Sequence, residues 1–215
     1  MRTFIPYRYF CIEGNIGSGK TTLTKMLAEE FNALTLLEQF DENPFLPPFY
    51  EDKERYAFPV EVFFLSERHK QMQMELSVSN LFHETVIADY IFHKTILFAR
   101  ENLDDREYAL FYKLYQQLDN QLIHPELIVY LHRPVDALLK NIRKRNRSFE
   151  QNISGDYLAS ISNSYLTYLS SQVDSPVIIF HLRDGDFEND RSLYAIIKDR
   201  IVQKGTATGV DQVYL

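Results

Sequence analysis

Gly14-Asn15-Ile16-Gly17-Ser18-Gly19-Lys20-Thr21 decides how the rest of the chain is read. The stretch has the form G-x-x-x-x-G-K-[ST]. It follows a short apolar run, Tyr9-Phe10-Cys11-Ile12-Glu13, and precedes a helical pattern with Leu23, Met26, Leu27 and Phe31 on one face. Strand, glycine-rich turn and helix, in that order, are the context that a phosphate-binding loop requires. The glycines let backbone N–H groups wrap a phosphate, and the helix N-terminus adds partial positive charge. In such a loop Lys20 reaches the β- and γ-phosphates and Thr21 holds Mg²⁺.

The bulk composition narrows the class. The chain has 215 residues and is 45% hydrophobic, which fits a single domain over 1–215 with an ample core. Its net charge of −7 excludes a global basic field for nucleic acid. Positive charge for phosphates must therefore be concentrated locally. The single cysteine, Cys11, lies inside the first strand as a small buried hydrophobe, which suits a reducing cytosol. No run approaches the length of a membrane span, and the opening residues lack an apolar signal core. The expectation is a cytoplasmic protein with no membrane or nucleic-acid partner.

Further along, Leu34–Leu37 reads as a second strand ending at Glu38, and Thr85–Ala88 as a third ending at Asp89. Carboxylates at the C-terminal ends of parallel strands lie where ligands bind in open α/β folds. Leu127–Leu131 and Pro176–Phe180 are further continuous apolar strands, as a doubly covered parallel sheet demands. Asn43–Tyr50, rich in proline and aromatics, is expected as a packed loop walling a pocket. A long helix is expected from Phe58, with Pro59 in its first turn. Glu61, Leu65 and Arg68 then share one face, so a carboxylate and a guanidinium could flank a flat polar ligand. The stripe Tyr108, Phe111, Tyr112, Tyr115 and Leu118 suits a core or a subunit interface. Lys140, Arg143, Lys144, Arg145 and Arg147 form the densest basic cluster, followed by Glu150 and Gln151. Beside a phosphate loop, such a cluster is an arginine clamp over transferring phosphates. The tail Lys204–Leu215 is weakly patterned and is expected to be mobile. Strands alternating with helices specify an α/β fold with a five-stranded parallel sheet.

The loop alone is shared by GTPases, ATPases and kinases. No Asn-Lys-x-Asp guanine-reading motif is present, and no apolar strand ends in an Asp-Glu pair. A small kinase remains, with loop, strand-end acids and arginine-rich lid. At this point the chain resembles the deoxyribonucleoside kinases, over nearly its whole length and nearest their bacterial, purine-preferring branch. The carriers are Glu13-Gly14-Asn15-Ile16-Gly17-Ser18-Gly19-Lys20-Thr21-Thr22, Glu38, Asn43-Pro44-Phe45-Leu46, Phe49-Tyr50 and Glu54-Arg55-Tyr56-Ala57-Phe58. Arg68, Phe98-Ala99, Arg145-x-Arg147-x-x-Glu150-Gln151 and Asp186-Phe187 complete them.

The resemblance implies a P-loop kinase fold, five parallel strands wrapped by helices with a lid over about 143–151, and a homodimer. It implies ATP and Mg²⁺ as cofactors, with Asp89 serving the metal beside Thr21. Glu38 matches the general base that takes the proton from the 5′-hydroxyl. Tyr50 and Glu150 match the pair on the sugar 3′-hydroxyl, and Arg68 a residue near the base edge. Arg145 and Arg147 match lid arginines on the transferring phosphate. Asp186 and Phe187 match the loop lying against the adenine of ATP. Three positions depart from the pattern. Tyr90 stands where an arginine usually follows the strand-end acid, and Lys94, Arg143 and Lys144 are candidates for its contact. Asn141 stands where a lid arginine is usual, and Glu61 where an amide reads the base.

The implied reaction carries the γ-phosphoryl group of ATP to the 5′-hydroxyl of a deoxynucleoside in nucleotide salvage. An ionised Glu61 only accepts hydrogen bonds, so it opposes thymine's carbonyls and suits purine amines. The bacterial resemblance places deoxyadenosine ahead of deoxyguanosine. Two other readings are a nucleoside monophosphate kinase of the same fold and a regulatory nucleotide-binding module. The first needs a further basic site for the acceptor's phosphate, which the acidic set Glu38, Glu61 and Glu150 opposes.

Overall fold

Apolar residues alternate between the two faces of a central parallel sheet, and each face buries its own core. In β1 (Tyr9–Gly14), Phe10 and Ile12 face Leu23 and Leu27 of α1 (Lys20–Phe31) and Ile197 and Ile201 of α8 (Arg191–Val202). Tyr9 and Cys11 face the opposite core. That core is filled from α2 (Leu46–Glu51), α3 (Lys53–Ser77), α4 (Lys94–Asn102), α5 (Asp105–Asp119), α6 (Val135–Arg145) and α7 (Gly155–Ser170). This two-residue alternation is what a pleated strand imposes on a doubly covered sheet. The structure is a computed structural model that describes residues 5–77, 83–171, 175–203 and 209–215.

The remaining strands are β2 (Leu34–Leu36), β3 (Val86–Ala88), β4 (Ile128–His132), β5 (Val177–His181) and β6 (Val210–Tyr214). Among the described residues they form one six-stranded sheet, ordered β2-β3-β1-β4-β5-β6, all parallel. β1 lies in the middle, where the chain switches from building one side of the sheet to building the other. Ligands of open α/β sheets bind at such a switch, beyond the carboxyl ends of the strands.

The expected fold class and the five expected strands are present. Three local expectations are corrected. The tail is not all mobile, because residues 210–214 add a sixth strand to β5 and Arg200 ion-pairs with Asp211 at 2.5 Å; residues 204–208 lie outside the described residues. As an edge strand, β6 needs only a partial apolar face, so its pattern is weak. The expected loop at 43–50 contains α2, because Pro47 and Pro48 occupy the first helical turn, where a missing N–H costs nothing. Finally, α3 begins at Lys53 rather than Phe58. Asp52 caps it through Oδ1, which accepts from Arg55 N at 3.2 Å, and this places Pro59 inside the helix.

Candidate active site

A cavity of about 860 Å³ opens at the carboxyl ends of the strands. Lys20 reaches it from the loop after β1, Glu38 from beyond β2, Asp89 from beyond β3 and Arg133 from beyond β4. The topology has thus brought together residues far apart in sequence, each supplied by a strand end.

One half of the cavity is built on the glycine loop. Gly17 has φ +82°, and a Cβ there would lie 2.8 Å from the Leu138 carbonyl oxygen of α6. Gly19 has φ +97°, and its Cβ would lie 2.9 Å from Cζ of Phe187. Neither position tolerates a side chain, so the loop packs directly on the lid helix and on the 183–187 turn. Asn141 Nδ2 donates to the Gly17 carbonyl at 2.8 Å, which ties the lid helix to the loop where a lid arginine was expected. Asn15 and Ser18 are buried; Asn15 Nδ2 donates to Leu158 O and Ser162 Oγ of α7. Lys20 Nζ donates to Asn15 O at 3.0 Å. Burial and the neighbouring Lys94 charge lower its pKa to about 8 against the pull of Glu13, Glu38 and Asp89. Ile16, Gly17, Gly19, Thr21 and Thr22 also line the cavity. Gly14 is the last residue of β1.

Arg133 belongs to this half and was not anticipated. It is 7% exposed and donates three hydrogen bonds to backbone carbonyls. Nε reaches Ser18 O at 3.0 Å, Nη1 reaches Arg183 O at 3.1 Å and Nη2 reaches Gly185 O at 2.6 Å. It thus joins the phosphate loop to the turn carrying Asp186 and Phe187. Asp186 spends its carboxylate on that turn, accepting from the backbone of Glu188 and the side chain of Asn189. Phe187 is buried against Gly19. A lone arginine after a strand carries no sequence signal for these contacts.

Asp89 joins the two halves. Its Oδ2 accepts from Thr21 Oγ1 at 2.5 Å, and its Oδ1 accepts from Glu38 N at 2.8 Å. Glu38 in turn is gripped by two cations. Lys94 Nζ lies 2.6 Å from Oε2, and Arg68 donates to Oε1 through Nε at 2.9 Å and Nη2 at 2.6 Å. Burial would raise this carboxyl's pKa, but Lys94 and Arg68 override it and hold Glu38 well below the usual carboxylate range. Arg68 and Glu61 both line the cavity, as their shared helix face implies, but Arg68 bonds elsewhere. Its guanidinium turns to Glu38 and to Thr95 Oγ1, at 3.0 Å, because an ionised carboxylate is the stronger acceptor.

The other half of the cavity comes from α2, α3, α4, α7 and the segment 145–150. Glu61 is buried and accepts from Asn102 Nδ2 at 2.7 Å. Tyr50 stacks on Phe149 with ring centroids 6.0 Å apart. Glu150 is buried and paired with both Arg145 and Arg147, the latter at 3.1 Å. The Arg147 guanidinium lies 3.6 Å above the Phe40 ring. Tyr50, Arg145, Arg147 and Glu150 all line the cavity.

A phosphate loop, strand-end carboxylates and an arginine lid around one cavity are the parts of a small kinase. The deoxynucleoside kinase family model matches residues 10–204. The chain belongs to the deoxynucleoside kinase family. It is 33% identical over 207 residues to the deoxyguanosine kinase of Bacillus subtilis, covering 90% of this chain and 98% of that one. It is 31% identical over 197 residues to the deoxyadenosine/deoxycytidine kinase of the same organism, covering 88% and 89%. A deoxyadenosine kinase from M. mycoides, solved with dATP bound, shares its fold with a TM-score of 0.76 at 21% identity, over 90% of this chain and 98% of that chain.

The family's usual arginine after the strand-end acid has no counterpart in Tyr90, which is fully buried and donates to Gln71 Oε1 at 2.8 Å. Of the three candidates to replace it in this deoxynucleoside kinase, Lys94 reaches Glu38, Lys144 lines the cavity without an ion pair to Glu38, and Arg143 is exposed. Lys94 opens α4 four residues after Tyr90, so spacing alone did not single it out. Glu13 was read only as part of the strand. It is buried and accepts from Ile91 N, Gly14 N and Tyr165 Oη, which fixes the segment after Asp89 against β1 and α7.

Proposed function

We propose that this kinase transfers the γ-phosphoryl group of ATP to the 5′-hydroxyl of a purine deoxynucleoside, in nucleotide salvage. The observation that carries this is Glu38, kept ionised by Lys94 and Arg68 in the same cavity as Lys20. A carboxylate with so low a pKa is a weak base. Its work is to orient the attacking hydroxyl and take its proton late, which suits a loose phosphoryl-transfer transition state. Lys20, Arg145 and Arg147 neutralise charge on the transferring group. Glu150 holds both lid arginines while facing the acceptor wall with Tyr50, so a sugar 3′-hydroxyl bound there is linked to the lid. The turn at Asp186 and Phe187 lies against the adenine of ATP.

The donor set fits Mg²⁺. Thr21 Oγ1 and Asp89 Oδ2 are hard oxygens 2.5 Å apart. No group of three or more His, Cys, Asp or Glu suited to a metal occurs among the described residues, and Mg²⁺ needs few protein ligands because it keeps waters and phosphates. Held by Thr21 and through water by Asp89, it would supply charge neutralisation at the phosphates.

Presented with the four deoxynucleosides, dAMP, ATP and Mg²⁺, the protein is expected to phosphorylate deoxyadenosine and deoxyguanosine. Thymidine as best acceptor would overturn the purine assignment. Preferred transfer to dAMP would favour a monophosphate kinase. ATP hydrolysis with no phosphorylated acceptor would favour a regulatory module.

We also propose a cytoplasmic homodimer. No helix among the described residues is long and apolar enough to cross a membrane, and Cys11 is a buried free thiol. On α5, Phe111 and Tyr115 are buried, while Leu110 and Leu114 stay exposed one turn apart and Met74 is exposed on the packed α3. A second copy would cover this face. Light scattering is expected to return twice the 25.4 kDa chain mass, falling to one chain for Leu114→Glu; a monomeric wild type would refute the dimer.

A further inference from the structure

Glu61 differs from Glu38, Asp89 and Glu150, which share the cavity with it. Glu38 has Lys94 and Arg68, Glu150 has Arg145 and Arg147, and Asp89 has Thr21 and the Glu38 backbone. Glu61 is 2% exposed and accepts one hydrogen bond, from the neutral Asn102. Its Oε2 is buried without a partner in a side chain that lines the cavity. A buried polar atom so placed is a position for a ligand group.

The groups around Glu61 do not fix its charge. Arg68, two turns along α3, spends its hydrogen bonds on Glu38 and Thr95, and Lys94, on α4, spends its on Glu38. Glu38 itself repels a charge on Glu61, and Tyr50 of α2 and Tyr157 of α7 face it as neutral phenols. Burial pushes the Glu61 carboxyl up to about 7, with Asn102, Arg68 and Lys94 opposing and Glu38 reinforcing. Both protonation states are therefore populated near neutral pH.

The two states present different edges. An ionised carboxylate offers two acceptors side by side, and the acid offers one donor beside one acceptor. Guanine's N1–H and N2 amine are two adjacent donors. Adenine's N1 is an acceptor beside the N6 amine. We propose that Glu61 reads both purines, guanine as the carboxylate and adenine as the carboxylic acid, so that one proton on Glu61 selects between deoxyguanosine and deoxyadenosine. Cytosine, with N3 beside its N4 amine, groups with adenine. This rests on the purine deoxynucleoside kinase reading above.

The test is competition of deoxyadenosine and deoxyguanosine in one reaction with ATP and Mg²⁺, from pH 6 to 8. Effects on ATP, Lys20 and Glu38 cancel in the product ratio. The acid is the low-pH form, so the adenine-to-guanine ratio is expected to fall as pH rises. Loss of the acid form alone lowers the ratio roughly tenfold, and a matching gain of the carboxylate for guanine extends the change towards roughly 100-fold across the range. Glu61→Gln keeps the shape but replaces the titrating group with a permanent donor and acceptor, so its ratio should stay flat across the pH range. A wild-type ratio constant within about threefold overturns the proposal, as does a pH-dependent ratio that Glu61→Gln retains; if the variant fails to fold, the wild-type profile alone decides. Phosphorylation of neither purine at any pH overturns the purine kinase reading itself, and the proposal with it.

Discussion

Lys20→Ala is expected to lower kcat by on the order of 10³-fold while leaving the protein folded. In the proposed reaction the ammonium neutralises charge on the transferring group, and Lys94, whose charge also acts on Lys20, is held by Glu38. Stability should move the other way. The Lys20 pKa of about 8 means that burial disfavours its charged form. Between pH 8 and the ordinary lysine value of about 10.4 the unfolded chain binds more protons than the folded one, so folding is penalised below pH 8 and the penalty fades as pH rises. Removing the amine removes that penalty, and the melting temperature of Lys20→Ala at pH 7 should match or exceed that of wild type. The same linkage predicts how ATP binds. A bound triphosphate restores the ammonium, so binding takes up a proton above pH 8, and the ATP Kd should rise by up to roughly tenfold per pH unit from there. Calorimetry from pH 7 to 9.5 checks this; an equally steep rise in Lys20→Ala would assign the titration to another group.

Glu38→Gln is expected to reduce kcat by about 10²–10⁴-fold with only a few-fold change in nucleoside KM, because an amide can still hydrogen-bond the 5′-hydroxyl but cannot accept its proton. Equal losses in turnover and affinity would make Glu38 a binding residue only. The variant should also be less stable. Arg68 is 4% exposed and Lys94 6%, and both lose their counter-charge. Stranding buried charges costs about 3–5 kcal/mol, which in a chain of this size lowers the melting temperature by roughly 10 °C. The sign with pH follows from a lowered carboxylate pKa: the contribution is present above the unfolded value of about 4.3 and is lost as pH falls towards the folded one. Wild type should therefore lose its advantage over Glu38→Gln in acid. A constant gap between their melting temperatures from pH 7 to pH 3 would place the stabilisation elsewhere.

Much of this site is readable because it is made of strand ends. A continuous apolar run announces a buried strand, and the first acid beyond it announces a cavity-facing position, as at Leu36 to Glu38 and Ala88 to Asp89. The glycine loop is legible because its conformation leaves no room for side chains. What was not legible depends on partners distant in sequence. Arg68 shares a helix face with Glu61, and only the folded sheet reveals that Glu38, 30 positions earlier, lies closer to its guanidinium. The role of Arg133 depends on carbonyls at Ser18, Arg183 and Gly185, which no side-chain pattern advertises. The sixth strand is hidden because an edge strand with exposed Val210 and Tyr214 has little apolar signature. The helix at 46–51 is hidden because proline usually marks its absence.

The Arg133 guanidinium has a consequence for how a nucleotide is held. By stapling the phosphate loop to the Asp186–Phe187 turn, it would set a constant spacing between the proposed sites for the two ends of ATP. A donor anchored by its triphosphate then presents its adenine at high effective concentration, and the second contact costs little additional entropy. The two ends bind as a chelate whose strength depends on the staple as much as on either end. Adenosine and inorganic triphosphate, supplied separately, forgo that gain.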